Sequence, residues 1–529
     1  MGTPTSDPAP VVAAPAGRRA GGYRLEVISV VAVVVVGVIL RFATTSPLWL
    51  DEALSVNIAA LALGDIPDAL RHDGHPPLYY LLLHGWMALF GDGDMAVRAL
   101  SGLFGVLALP LMWLAARRAA GPCAGWAALV LLAVSPFAIR YSTEARMYSL
   151  VMVLVLAGYL VLRRALRQPR PVWLATLTVL TGLALLTHYW VLWLVGAVLA
   201  VMSTRVWTYR RTPARRRAPL LVAGAVAGGG ILLVPWLGVM AYQSAHTGTP
   251  WAGPARPTQV VQSSLADFGF TGVGSGAAEG TLVAVALSVL FLVGLCARRL
   301  DEHRLELDVR TVPGVRGEAG VVGLTVALGT MAGYATSTTF APRYAASFFP
   351  LFLVVAAVGA SMLPARFSRN LVVGGVAGLC LVAASFNVTT ARTQGEELAE
   401  AIAEGASPDD VVAFCPDQLG PAVERGLPDG LTTAVYPTLA PAERVDWADY
   451  APRHAEAEPE AFAAALDERA DDATIWLVAR GGYRTLEGQC EQVVAELGAL
   501  RPGAAQPVSE DAGVFEHASL FRYPSSSER

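Results

Sequence analysis

From Leu25 to about Val388 the chain is a succession of long apolar runs separated by short polar breaks. A helix needs about 17–25 apolar residues to cross a hydrocarbon core. On that measure the pattern predicts spans at roughly 25–42, 97–116, 122–139, 149–162, 172–187, 190–204, 218–240, 281–297, 319–337, 344–363 and 371–389, about 11 in all. One stretch breaks the rhythm. Pro76–Phe90 (PPLYYLLLHGWMALF) is apolar but short, and His84 interrupts it. It is predicted as an interfacial or re-entrant helix inside a long first outer loop, residues 43–96, with an amphipathic stretch, Ala53–Leu63, beside it.

After residue 390 the runs stop. Short apolar segments there (VVAFC, TTAVYP, ATIWLVAR) have the length of buried strands and alternate with helical stretches such as GPAVER, PEAFAAALDERA and QCEQVVAELGAL. This predicts a small α/β domain over 391–529. No glycine-rich nucleotide fingerprint follows any of its strands. Residues 1–24, rich in Pro, Ala and Gly, are expected to be a disordered cytoplasmic tail. The first apolar run lacks a small-residue cleavage site and is followed by further spans, so it is expected to be a retained signal-anchor.

Charge orients these parts. The net charge of −4 conceals an asymmetry: after residue 390 there are 26 Asp and Glu against 10 Arg, so the late domain carries −16 and the rest +12. There is no lysine. Arginine clusters at 18–24, 117–118, 163–170, 205–217, 298–310 and 366–369 fall on one side of the predicted spans, which the positive-inside rule assigns to the cytoplasm. The late domain is then extracytoplasmic in a multi-pass plasma-membrane protein, and its acidity disfavours nucleic-acid partners. Cys123, Cys296 and Cys380 lie in apolar runs and are expected to pack there. Cys415 and Cys490 are free to pair as a disulfide if their domain is outside.

With this topology the ionisable residues near span ends gather on the outer side: Asp51 and Glu52 in WLDE, His72, Asp73 and His75 in RHDGHPP, Glu144, Arg146 and Tyr148 in STEARMYS, His188 and Tyr189 in THYW, and Arg343 and Tyr344 in PRY. Charged groups at membrane depth are costly and mark function. Arg41, Arg98 and Arg140 are instead expected to be snorkelling span-end anchors.

The motifs WLDE after the first span, HPPLYYLLL in the first outer loop, VRALSGLFG opening the second span, SPFAIRYSTEARMYSL around the second outer loop and PRY before a late span occur in that order over residues 25–360. Together they resemble the GT-C glycosyltransferases, in particular the family-39-like group of protein O-mannosyltransferases and aminoarabinose transferases. The resemblance implies transfer of a sugar, such as mannose or another hexose or pentose, from a polyprenyl-phosphate carrier to an extracytoplasmic glycan, lipid or protein acceptor, usually with inversion. It also implies that Asp51 is the general base. The chemistry agrees. A polyprenyl phosphate needs no acid to leave, only a base for the acceptor hydroxyl and cations for the developing phosphate charge. Arg343, Arg146, His75 and Tyr344 are expected to hold the lipid phosphate, and Glu52, Glu144, Tyr148, His188 and Tyr189 to contact acceptor or sugar. No cofactor is expected, and His72, Asp73 and His75 form only a weak metal-binding pattern. A lipid transporter or flippase and a non-catalytic scaffold for the outer domain are the competing readings. The first lacks the internal repeat such proteins tend to show. The second would not require Asp51, His75 and Arg343 to converge.

Overall fold

The computed structural model describes residues 16–250, 252–269, 277–301, 304–308, 310 and 314–525. The tail expected over 1–24 lies, as far as residue 15, outside the described residues, and Ala16 already opens a helix. The helices of the membrane part are α1 (Ala16–Leu40), α2 (Leu50–Ala59), α3 (Ile66–Asp73), α4 (Leu78–Phe90), α5 (Asp94–Ala120), α6 (Pro122–Ala133), α7 (Pro136–Ser142), α8 (Tyr148–Arg167), α9 (Pro171–Leu185), α10 (Val191–Thr208), α11 (Pro213–Gly228), α12 (Leu237–His246), α13 (Pro257–Gly269), α14 (Ala277–Cys296), α15 (Arg316–Thr336), α16 (Phe349–Met362) and α17 (Arg366–Thr389). Every predicted apolar run is helical over most of its length. Among the described residues seven helical segments are long and apolar enough to cross a bilayer, or eight if the bent pair α6–α7 counts as one. The protein is thus a multi-pass membrane protein, although α9 and α16, at 15 and 14 residues, fall short of a full crossing. α4, at 13 residues, is short as predicted.

The predicted span 122–139 is broken by 54° between α6 and α7. The cause is Pro136, which has no N–H to give the Leu132 carbonyl. Arg41 supplies the missing donors. Its guanidinium donates to Leu132 O at 2.7 Å and to Ala133 O and Gly37 O at 2.6 Å each. Arg41 is therefore fully buried rather than snorkelling. Gly37 makes this approach possible, because a Cβ there would lie 2.2 Å from Ala133 O. Between α14 and α16 the same device recurs: a Cβ on Gly294 would sit 2.1 Å from Val355 O, and one on Gly359 1.9 Å from Leu290 O. Small residues let membrane helices meet backbone to backbone, where packing rather than hydrophobicity holds them.

The late domain contains α18 (Gly395–Gly405), α19 (Gly420–Glu424), α20 (Tyr450–Ala455), α21 (Pro459–Ala470) and α22 (Gln489–Leu500). After a short hairpin between α14 and α15, β1 (Ala297–Arg299) with β2 (Leu305–Leu307), the remaining strands are β3 (Val411–Cys415), β4 (Thr432–Val435), β5 (Ile475–Ala479), β6 (Ala505–Val508) and β7 (Ser519–Tyr523). They form one sheet in the order β4-β3-β5-β7-β6. β3, β4 and β5 are parallel, and every residue of β3 and β5 is buried. Helices on both faces explain why those two strands read as continuous apolar runs. The three predicted strands are β3, β4 and β5. The antiparallel β7 and β6 were not predicted. Cys415 at the end of β3 is disulfide-bonded to Cys490 of α22.

This domain rests on α2 and on the ends of α3 and α12. Leu54 of α2 packs with Val445, Trp447 and Tyr450. Trp447 N donates to His72 O and Asp449 N to His246 O, and the His72 and His246 side chains bond Asp446 and Asp449.

Candidate active site

α2 brings two neighbouring carboxylates to different partners. Trp49 precedes the helix in extended conformation, so Asp51 and Glu52 fall in its first turn, where the helix dipole favours negative charge. Glu52 turns inward and is fully buried. Arg98 meets it as a two-pronged fork, Nε to Oε1 at 2.7 Å and Nη2 to Oε2 at 2.6 Å, and Ala145 N donates to Oε1 at 2.8 Å. Glu144, also buried, is held by Arg140 at 2.6 Å. Arg392 lies 3.6 Å from Glu52 and 3.7 Å from Glu144, and donates to Thr143. Buried charges are tolerable only when paired in this way. Arg98 is therefore part of an ion network rather than a membrane anchor, and Arg140 reaches Glu144 instead of the interface. The network staples the start of α2 and α5, the STEAR turn and the linker into the late domain.

Asp51 faces the other way. Its Oδ2 lies 3.3 Å from Arg343 Nη2 and 3.9 Å from Arg146 Nη2. Arg146 is buried and held from behind: Nη1 donates to Ser55 Oγ at 2.9 Å and to Asp51 O at 3.1 Å, and Nη2 lies 3.1 Å from His75 Nε2. Since an arginine cannot accept, His75 Nε2 must, and its proton sits on Nδ1. That Nδ1 donates to Asp73 Oδ2 at 2.7 Å, which also accepts from Tyr80 OH at 2.8 Å. Burial alone would raise the Asp73 carboxyl, but the hydrogen bonds from His75 and Tyr80 and the charge of Arg146 outweigh it and hold it below the usual range. Arg343 arrives from a single helical turn, Pro342–Ser347, with its guanidinium over the Trp49 ring at 5.8 Å.

An aromatic wall closes this side. His188 stands 5.8 Å from Tyr148 and 5.0 Å from Tyr344, and Trp190 stacks on Tyr344. Burial, with the nearby His75 and Arg146, pushes His188 well below its ordinary value, so it is neutral. Its Nδ1 accepts from Trp190 N, which leaves the proton on Nε2. Among the described residues, Asp51 Oδ2, Tyr148 OH, His188 Nε2 and Arg343 Nε are buried without a hydrogen-bond partner. Gathered on one wall, these four leave hydrogen-bonding capacity that a polar ligand can take up. Tyr189 points away, bonded to Trp236 and Gln243. Gln243 in turn donates to Leu70 O and His75 O, so Tyr189 supports the His75 loop from outside.

The site thus gathers Asp51, His75, Arg146, Tyr148, His188, Arg343 and Tyr344 directly, with Glu52, Glu144 and Tyr189 behind them. Asp73 was visible in the motif, but its role as the buttress of His75 was not. Arg392, Phe515 and Glu516 carried no sequence signal. The late domain places Phe515 against Trp49, ring to ring at 5.6 Å, and Glu516 Oε2 accepts the Leu50 N–H at 3.2 Å. His72 bonds Asp446 across the domain contact, and among the described residues no three His, Cys, Asp or Glu side chains are grouped to hold a metal ion.

Residues 74–239 match the family model described as dolichyl-phosphate-mannose-protein mannosyltransferase. The fold is similar to that of ArnT from Cupriavidus metallidurans in the apo state, with a TM-score of 0.60 at 15% identity over 96% of this chain and 99% of that one. Against the same protein bound to undecaprenyl phosphate the TM-score is 0.55, at 15% identity over 96% and 98%. An oligosaccharyltransferase from Archaeoglobus fulgidus, tethered to an acceptor peptide, gives a TM-score of 0.50 at 12% identity over 88% of this chain and 71% of that one. No curated protein matches in sequence. The match over residues 74–239 and the shared architecture give the chain a GT-C-like membrane fold.

Proposed function

We propose that the protein transfers a sugar from a polyprenyl-phosphate carrier to an acceptor hydroxyl on the extracytoplasmic side, inverting the anomeric centre, with Asp51 as general base. The observation that carries this reading is the paired placement of a carboxylate and two guanidiniums, Asp51 between Arg343 and Arg146, beside buried polar groups that lack partners. Its orientation is supported by the arginine clusters at the far ends of the helices: α8 starts at Tyr148 in the site and ends at Arg163–Arg167.

In the reaction the acceptor oxygen attacks the anomeric carbon while Asp51 takes its proton. The bond from that carbon to the phosphate oxygen breaks, and the electron pair leaves on the phosphate. Arg343 and Arg146, whose planar forks suit phosphate oxygens, stabilise the charge that develops there. The neutral His188 Nε2–H and the Tyr148 hydroxyl donate to the sugar or phosphate. The neighbour with undecaprenyl phosphate bound supports this donor class. Asp51→Asn keeps the size of the side chain and removes the base. It is expected to abolish transfer from a polyprenyl-phosphate sugar by membranes that still contain normal amounts of folded protein. Transfer at the wild-type rate by that variant would refute the assignment.

A further inference from the structure

A cavity of about 340 Å³ lies between α8, α9, α10 and α15, away from Asp51. That is within the range of about 300–1,000 Å³ typical of small-molecule sites. Its lining follows one face of each helix, including Leu154, Gly158 and Leu162 of α8, Leu177 of α9, and Leu194 and Val198 of α10. Along α10 the lining runs from Val191 to Arg205, about 21 Å at the rise of a helix. This exceeds the depth of one leaflet's hydrocarbon, about half of 30 Å.

The slot is polar at one end only. Arg163, Arg167, Arg205 and Glu318 meet there. Arg163 is committed to Glu318 at 2.9 Å and to Tyr159 OH at 2.7 Å. Arg167 and Arg205 have no ion pair and no side-chain hydrogen bond among the described residues. Gly317 leaves the space that the Arg205 guanidinium uses, because a Cβ there would lie 3.3 Å from Nη2. A long apolar slot with two uncommitted planar cations at its mouth complements a single amphiphile whose head is an anionic phosphate. The mouth is about 30 Å from the catalytic end of α8, and none of Asp51, Arg146, His188 and Arg343 lines the slot, whose inner end stops at Leu154 and Val191.

We propose that the slot binds one acyl chain of an anionic phospholipid from the leaflet at the arginine end, with the lipid phosphate held by Arg167 and Arg205. The test is native mass spectrometry of the purified full-length protein after equilibration with equal amounts of phosphatidylglycerol and phosphatidylcholine. One phosphatidylglycerol is expected to be retained over phosphatidylcholine by about tenfold or more, given two arginines at the head group. The double variant Arg167→Gln/Arg205→Gln is expected to bring that ratio close to one. Gly158 has open space around its Cβ position, so Gly158→Phe fills the slot without disturbing the helix and is expected to remove the retained lipid. Equal retention of the two lipids by the wild type would overturn the proposal, as would retention unchanged in both variants. Displacement of the bound lipid one for one by undecaprenyl phosphate would overturn it too, by making the slot a carrier site.

Discussion

Arg343 Nη2 holds Asp51 Oδ2 at 3.3 Å, so the residue proposed as base and the residue proposed as phosphate clamp are partners of each other. An incoming lipid phosphate competes with Asp51 for the same guanidinium. Once Arg343 turns to the phosphate, Asp51 loses the nearer of its two cations and gains a like charge nearby, and both changes make it a better base. Substrate binding would thus switch the base on. Removing the Asp51 charge should then separate binding from catalysis: Asp51→Asn is expected to bind undecaprenyl phosphate several-fold more tightly than the wild type while transferring no sugar. Titration of the purified variant with the carrier checks this, and weaker binding would show that Asp51 does not compete for the clamp.

Arg343→Lys keeps the charge but loses the fork. A donor aimed at charge that develops in the transition state is worth about 10²–10³ in rate. The variant is expected to lose about that much in kcat/KM for the donor, with the KM for the acceptor unchanged. Steady-state kinetics with each substrate varied in turn decides between this and a general loss of structure, which would move both.

Asp73 and His75 set the position of Arg146, the second cation, rather than touching substrate themselves. Asp73→Asn replaces the charged acceptor of the His75 Nδ1–H with a neutral amide that can accept it only through Oδ1, so the ring is held less firmly. Misplacement of a positioned group by about 1 Å can cost about 10²-fold. The expected outcome is a loss approaching that size in kcat, with the amount of folded protein unchanged. Wild-type kcat in this variant would remove His75 from the phosphate clamp.

Much of this was legible in the sequence, and for physical reasons. Membrane helices announce themselves because lipid demands a helix to satisfy the backbone and a run of apolar side chains long enough to cross the hydrocarbon. Asp51, His75, Arg146 and Arg343 stood out because charge at membrane depth needs a reason. The short α4 stood apart by its length together with the His84 that interrupts it. The bend at Pro136 had its proline in view, but nothing local said that Arg41, 92 residues away, would satisfy the freed Ala133 carbonyl. Arg98 and Glu52 illustrate a further limit. Each looked like a span-end or substrate residue because pairing is a property of the fold, not of the neighbourhood in sequence. The contact of Glu516 with Leu50 joins positions 466 apart.

That network makes its own prediction. Removing one member of a buried ion pair leaves the other charge unpaired, at a cost of about 3–5 kcal/mol, whereas replacing both with apolar groups can be close to neutral. Glu52→Leu and Arg98→Met alone are each expected to lower the thermal unfolding midpoint sharply. The double variant is expected to recover much of the loss, an interaction of at least about 1 kcal/mol in a double-mutant cycle. Additive losses would mean that the two side chains do not interact in the folded protein.

Among the carboxyls of the late domain that burial pushes far up are Asp417, to about 7, and Glu516, to about 8. Asp417 accepts from Tyr450 OH at 2.5 Å, and Glu516 is raised further by the Asp51 charge. In the unfolded chain such groups lose their protons near pH 4. Because the folded values are raised, the stability these two protons contribute is complete below about pH 4 and is lost as pH rises through 7 and then 8. Between pH 6 and pH 9 the unfolding midpoint of the whole protein is therefore expected to fall by several degrees. Glu516→Gln, neutral at every pH, should flatten the upper part of that fall. Activity should follow the same limb, because an ionised Glu516 at the start of α2 places a second negative charge beside Asp51, where the lipid phosphate must also bind. Transfer rates and unfolding midpoints measured across this range in the wild type and in Glu516→Gln test both statements. A pH profile identical in the two proteins would mean that the late domain does not tune the site through this residue.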